Sequence, residues 1–118
     1  ELILKKIKEI NKDSLPVILM GDFNSIPESE PIKILEKNMI DGLRISSKHL
    51  QGPQGTFNGF DVNNPISKRI DYIFTKNFQV LYYRHIDDRL ENNNHISDHL
   101  PVMAILKPLP MVKYPLKF

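Results

Sequence analysis

Apolar residues at the start of the chain recur at helical spacing and then form a short continuous run. Ile3, Ile7 and Ile10 are spaced i, i+4 and i+7 among charged residues, which predicts a helix over residues 1–12 with one buried stripe. The apolar run at residues 15–20 predicts a strand covered on both faces. The glycine that follows is expected to end this strand.

A second helical stripe follows a polar loop. Residues 25–31 form that loop, and Ser29 is placed to cap a helix that begins beside a proline. Ile32, Leu35 and Met39 then give the apolar face of the predicted helix.

The rest of the chain alternates between loops and apolar runs. Residues 51–60 contain three glycines and predict a loop whose backbone can approach a ligand closely. The runs at 69–75 and 78–86 predict two strands joined like a hairpin, and the run at 100–106 predicts a last strand. The order of elements predicts an α/β fold with a mixed, mostly antiparallel sheet and flanking helices.

The composition fits one soluble globular domain, because 41% of the 118 residues are hydrophobic and 25% are charged. We assign residues 1–106 to this domain and residues 107–118, which hold three of the nine prolines, to an extended tail. The longest apolar run, 17–20, is far shorter than the roughly 20 residues of a membrane helix. No transmembrane segment is expected.

Charge and cysteine content narrow the chemistry further. The formal net charge of +2 permits a nucleic-acid partner without indicating one. The chain has no cysteine, which excludes disulfides, thiolate zinc sites and a cysteine nucleophile and leaves the cellular compartment open. Any metal must therefore be held by oxygen or nitrogen ligands.

Polar side chains interrupt the apolar pattern at the ends of two predicted strands. Asp22 and Asn24 follow the strand at 15–20, while Asp98 and His99 precede the last strand. If these strands run antiparallel to each other, the end of one lies beside the start of the other and the four side chains converge. An aspartate after a strand is also common as a turn or cap residue, so spacing alone leaves a structural role open.

Asp71 stands inside the apolar run at 69–75, where an ionised carboxylate is costly without a partner. Arg69 is one candidate partner, and a metal or another donor is the alternative. Three carboxylates, an amide and an imidazole together suit phosphate ester cleavage. A divalent cation takes carboxylate oxygens, the cation and imidazole stabilise charge on phosphate, and a carboxylate can deprotonate water.

Four segments in this order, 15–24, 55–60, 69–74 and 97–102, resemble the endonuclease/exonuclease/phosphatase family with its DNase-I-like fold. That resemblance implies a four-layer α/β sandwich of two sheets flanked by helices. The family's domain is about twice as long as this chain. The chain is therefore expected to be the C-terminal half of such a domain, with the missing N-terminal half as its partner.

The resemblance also implies roles for the polar residues. Asp22 positions or activates the attacking water, Asn24 hydrogen-bonds the phosphate, and Asp98 takes part in metal binding. His99 contacts the phosphate, and Asp71 orients His99 through the other ring nitrogen. The implied cofactor is Mg²⁺ or Mn²⁺, with Asp22 as a further metal-side residue.

On the substrate side the resemblance implies Asn24, Phe57, Phe60 and Arg69, although the two phenylalanines are as readily explained as core aromatics. The implied substrate is a phosphate ester, either nucleic acid or a phosphorylated small molecule or lipid head group. The family's metal-binding glutamate is not recognisable before Asp22. The alternative is therefore a non-catalytic remnant or interaction module of the same fold.

Overall fold

The computed structural model describes residues 1–111. These residues form three helices, α1 (Leu2–Ile10), α2 (Glu30–Glu36) and α3 (Gly42–Ile45), and five strands, β1 (Val17–Asp22), β2 (Ile40–Asp41), β3 (Asp71–Lys76), β4 (Phe78–His85) and β5 (Val102–Pro108). The short elements β2 and α3 have no counterpart in the sequence-based prediction. None of the described helices is long and apolar enough to cross a membrane.

The first sheet has the order β1-β3-β2, and both pairs are antiparallel. Its core contains Ile32, Leu35 and Met39 of the predicted helical stripe, packed against Tyr72 and Phe74 of β3. The register places Asp22 directly opposite Asp71, at the end of β1 and the start of β3. Antiparallel pairing thus brings the two carboxylates to one edge of the sheet.

The prediction that β1 is covered on both faces is wrong. Val17 and Leu19 pack against the core of the first sheet, but Ile18 is 46% exposed and Met20 is 69% exposed. The strand also continues past Gly21 to Asp22. Within the described chain, only one face of β1 has a packing partner.

The predicted hairpin is also wrong, because β3 and β4 belong to different sheets. Asn77, with φ of 62°, turns the chain between them. β4 pairs with β5 in a second, two-stranded antiparallel sheet. The last strand therefore does not lie beside β1, so the convergence of site residues must have another cause.

The loop before β3 packs unusually closely against the chain that follows it. A Cβ atom at Gly55 would lie 2.5 Å from the backbone nitrogen of Lys68, so only glycine fits there. At the other end, β5 includes Lys107 and Pro108 of the predicted tail. Residues 112–118 of that tail lie outside the described residues.

Candidate active site at one edge of the first sheet

Three side chains predicted for the site converge in space. One ligand atom each from Asp22, Asp71 and His99 lies within 4.8 Å of the others. The β1–β3 register brings the two aspartates together. His99 joins them because its backbone pairs with that of Phe57 in an isolated antiparallel β-bridge. The loop that carries Phe57 is in turn hydrogen-bonded to the segment just before β3.

Asp71 and His99 form the hydrogen bond that the family resemblance implies. The distance from His99 Nδ1 to Asp71 Oδ2 is 2.8 Å. The Asp71 side chain is 15% exposed and that of His99 29%, so the pair lies at the protein surface without being fully hydrated. Of the two partners considered for Asp71, the structure selects the imidazole and not Arg69.

The hydrogen bond to Asp71 raises the pKa of His99 above its ordinary value of 6.5, and the charges of Asp71, Asp22 and Asp98 act in the same direction. Burial lowers this pKa but does not cancel the effect. The imidazolium form is therefore more stable here than in an unperturbed histidine. With Nδ1 committed to Asp71, its Nε2–H is the proton available to a ligand.

His99 Nε2 points toward Asp22 Oδ2 at a distance of 3.8 Å. This distance is too long for a direct hydrogen bond. A water molecule lying beside the two atoms can accept from Nε2–H and donate to the Asp22 carboxylate, whereas a phosphate oxygen can only accept from Nε2–H. The arrangement can therefore hold a small oxygen ligand between a donor and an acceptor.

Thr56 fixes the position of Asp71, a role that the sequence reasoning missed. Its buried Oγ1 lies 2.6 Å from Asp71 Oδ2 and donates to it. The same oxygen accepts hydrogen bonds from the backbone amides of Ile70 and Asp71 at 3.1 and 3.2 Å. Thr56 belongs to segment 55–60, which resembles the family and also contains Phe57 and Phe60. That resemblance was the available sequence signal for a role of Thr56 in the site.

Asp22 is the last residue of β1, and Asn24 lies in the turn that follows it. Asp22 Oδ1 accepts a hydrogen bond of 2.8 Å from the backbone amide of Asn24, whose φ is 46°. Phe23 between them packs edge-to-face on Tyr72 and Phe74 and anchors the turn to the core. Both polar side chains are consequently exposed at the edge of the sheet.

The donor set fits a hard divalent cation in part. The exposed Asp22 carboxylate offers the oxygen donors that Mg²⁺ and Mn²⁺ take, whereas a protonated imidazole is a poor metal ligand. Asp98 is half-buried next to His99, but its carboxylate is not one of the three groups that converge. Among the groups that converge, the exposed carboxylate of Asp22 is the donor most accessible to such a cation.

Besides Asn24, the other three residues predicted for substrate binding have different positions. The ring centroid of Phe57 lies 5.0 Å from that of His99, so Phe57 borders the site. Phe60 is 57% exposed on the same loop. Arg69 is buried in an ion pair with Asp41, with nitrogen–oxygen distances of 2.6 and 3.1 Å, so its prediction as a substrate ligand is wrong.

Comparisons with known proteins agree with this geometry. The family model described as "Endonuclease/Exonuclease/phosphatase family" matches residues 1–99. No curated protein matches the chain significantly. A conserved protein of unknown function from Enterococcus faecalis V583 is 29% identical to the chain, covers 91% of it and has a TM-score of 0.81.

Two solved structures from Bacteroides thetaiotaomicron are also similar. A mannosyl-6-phosphatase is 31% identical over 90% of the chain, with a TM-score of 0.79. An endonuclease/exonuclease/phosphatase family protein is 32% identical over 89%, with a TM-score of 0.78. The chain spans only 42 to 43% of the length of these three structures. It belongs to the endonuclease/exonuclease/phosphatase family and has the antiparallel sheets and flanking helices of part of a DNase-I-like domain.

Proposed function

We propose that this chain supplies one side of the active site of a divalent-metal-dependent phosphoesterase, which hydrolyses a phosphate ester by direct attack of water. The observation that carries the proposal is the 3.8 Å space between His99 Nε2 and Asp22 Oδ2. A donor for a phosphate oxygen, His99 Nε2, thus lies close to an acceptor for a water proton, Asp22 Oδ2, which supports a site that binds a phosphate and the attacking water side by side.

His99 and Asn24 bind the phosphate in this mechanism. The His99 imidazolium donates its Nε2–H to a non-bridging phosphate oxygen, and Asp71 keeps the ring in that orientation through Nδ1. The Asn24 side-chain amide donates a second hydrogen bond. These donors matter most as negative charge grows on the phosphate oxygens in the transition state.

Asp22 acts on the attacking water. Its carboxylate accepts a proton from the water as the water oxygen bonds to phosphorus. The bond from phosphorus to the ester oxygen breaks, and the departing alkoxide takes a proton from solvent. The products are an alcohol and a phosphate, and Asp22 returns its proton to solvent.

Asp22 and Asp98 are the residues proposed to hold Mg²⁺ or Mn²⁺. When bound, such a cation would withdraw charge from the phosphate as a Lewis acid.

The rest of the domain is the proposed partner of this chain. Ile18 and Met20 of β1 and Met103 and Ile105 of β5 are 39 to 69% exposed, and apolar side chains grouped in this way usually contact another protein surface. The chain's share of its relatives' length supports an N-terminal half as that partner. The isolated chain is then expected to associate or to unfold easily, and a monodisperse monomer with a high-temperature cooperative melt would contradict this.

The substrate is proposed at the level of a phosphate ester. Support comes from the family and from the similar structure that is named a mannosyl-6-phosphatase. The net charge of +2 gives no basic stripe of the kind that strong nucleic-acid binders carry.

The test is the turnover of the full-length protein with Mg²⁺ or Mn²⁺ and a phosphomonoester or phosphodiester. His99→Ala and Asp22→Ala should each lower turnover by a factor on the order of 100 to 1,000, as expected for loss of a transition-state donor or a base. Asp13→Ala, at an exposed aspartate outside the site, is the matched control. Wild-type turnover in either site variant would refute the assignment, and failure of the wild type to bind metal by calorimetry would favour the non-catalytic alternative.

A further inference from the structure

We propose that the cleft beside Phe57 is the subsite for the leaving group of the ester, and that it takes a polyhydroxylated leaving group such as a sugar. This inference rests on the proposed function and specifies its substrate as a phosphomonoester of a polyol.

The cleft adjoins the candidate active site and has a volume of about 220 Å³. It is lined by Phe57, Asn58, Asp61, Asn64, Ser67 and Lys68. Phe57 is the wall shared with the active site, since its ring lies 5.0 Å from the imidazole of His99. A phosphate held by His99 would therefore have the rest of its ester next to this cleft.

The lining offers paired donors and acceptors, which is what a hydroxyl group requires because each hydroxyl both donates and accepts. The Asp61 carboxylate accepts from the Asn63 amide and the Asn64 side chain, which fix its orientation and leave each oxygen a further lone pair. Lys68 supplies an ammonium group, Asn64 a carbonyl oxygen, and the Ser67 hydroxyl can donate and accept. The Lys68 nitrogen lies 5.3 Å from the centre of the Phe57 ring, so it is held over the wall of the cleft.

Other leaving groups fit this lining less well. A lipid tail needs a long apolar floor, and here Phe57 is accompanied mainly by polar side chains. A polynucleotide needs several cations along its path, whereas Lys68 is the one basic residue in the lining. A sugar needs hydrogen-bonding groups and an aromatic ring, and the cleft provides both.

Hydrogen bonds that the proposed hydrolysis does not use hold this loop in place. Asn58 donates from its side-chain amide to His95 Nδ1 at 2.9 Å, and its Oδ1 accepts from the amide of Phe60 at 3.0 Å. His95 is buried, and its Nε2 lies 2.5 Å from Asp87 Oδ1. The backbone amide of Asn58 also donates to the carbonyl of Asp98.

These contacts tie the cleft to the segment that carries His99. They also hold Phe60 at φ of 64° with its ring 57% exposed, on the same loop as the shared wall. His95 is buried and both of its ring nitrogens are hydrogen-bonded, and such a satisfied polar network makes the loop rigid. A fixed orientation is what a specificity subsite needs.

The test compares hydrolysis of glucose 6-phosphate or mannose 6-phosphate with that of phenyl phosphate, which has no hydroxyls on its leaving group. Lys68→Met and Asp61→Asn in the full-length protein should lower the ratio of kcat/KM for the sugar phosphate to kcat/KM for phenyl phosphate at least tenfold, mainly through KM. Both residues are exposed, so folding should be preserved. Lys12→Met and Asp13→Asn, at exposed positions outside the cleft, are the matched controls.

Two results would overturn the subsite but leave the phosphoesterase proposal standing. One is a ratio of kcat/KM values that neither cleft variant changes. The other is a wild type that cleaves phenyl phosphate but neither sugar phosphate. If the wild type cleaves none of these esters, calorimetry decides the subsite separately. Tighter binding of the sugar phosphate than of inorganic phosphate, weakened by Lys68→Met, would support it, and equal binding would overturn it.

Discussion

Two aspartates of the first sheet each bind a basic side chain, and the two pairs differ mainly in their contact with water. Asp41 and Arg69 are both buried, and the guanidinium also lies over the ring of Tyr72 at 4.6 Å. Asp71 and His99 sit at the edge of the sheet, where the imidazole side chain is 29% exposed. In the first pair, two guanidinium nitrogens of Arg69 donate to Asp41. In the second pair, only Nδ1 of His99 contacts Asp71, and Nε2 remains available to a ligand.

This difference separates a structural ion pair from a functional one. The charges of the buried pair are shielded from water, and the pair links β2 to the residues just before β3. The half-exposed pair uses one ring nitrogen for orientation and keeps the other for a ligand. We therefore expect changes in the first pair to affect folding and changes in the second to affect protonation and chemistry.

The largest effect on stability is expected from Arg69→Met. It leaves the buried Asp41 carboxylate without its partner, which should cost about 3–5 kcal/mol of unfolding free energy. Urea unfolding measures the loss. Arg44→Met is the control. Arg44 is mostly exposed, and its nitrogen lies 3.8 Å from the same carboxylate, which is too far for a hydrogen bond. Its loss should cost about 0–1 kcal/mol of unfolding free energy. Equal losses in the two variants would contradict the structural role given to the buried Asp41–Arg69 pair.

The sequence indicated the special role of Asp71, but it did not indicate the partner of Arg69. The carboxylate of Asp71 inside an apolar strand signalled a special role, and the family resemblance implied its bond to His99. Arg69 looked like a substrate residue because its partner, Asp41, is 28 positions away in a two-residue strand that has no sequence signature. Long-range pairing of this kind leaves no local pattern.

The fold shows the same limit. The helical stripes lie in α1 and α2 as predicted, because amphipathic spacing is a local property. The prediction that the α1 stripe is buried is wrong for the described residues, since Ile3 is 43% and Ile10 81% exposed. The sheet partners of β3, β4 and β5 were not predicted: the chain turns at Asn77 and enters a second sheet, in which β4 pairs with β5, instead of forming a β3–β4 hairpin. The convergence of Asp22 with Asp71 then follows from the β1–β3 register and not from the last strand.

A smaller effect is expected from Thr56→Val. The substitution removes the donor to Asp71 and the acceptor of two backbone amides, which should cost about 1–3 kcal/mol in urea unfolding. Thr75→Val is a matched control, because the Thr75 hydroxyl is buried and has no hydrogen-bond partner among the described residues. That variant should be neutral or slightly stabilising. A larger loss for Thr75→Val than for Thr56→Val would contradict the role given to Thr56.

The smallest effect is the dependence of stability on pH. Because the pKa of His99 is raised in the folded protein, its stabilising contribution is complete below the ordinary value of 6.5 and is lost as pH rises through the folded-state pKa. The urea midpoint of the wild type should therefore fall relative to that of His99→Gln across this range. His49→Gln, at an exposed histidine, gives the background, and parallel curves for the wild type and His99→Gln would contradict the pairing.

The most direct measurement of the central claim is an NMR titration of the His99 ring in the wild type and in Asp71→Asn. The half-exposed pair requires that His99 titrate above 6.5 in the wild type and that its pKa fall when the Asp71 carboxylate becomes an amide. A wild-type His99 that titrates below 6.5, or a pKa that Asp71→Asn leaves unchanged, would show that Asp71 does not hold the imidazolium.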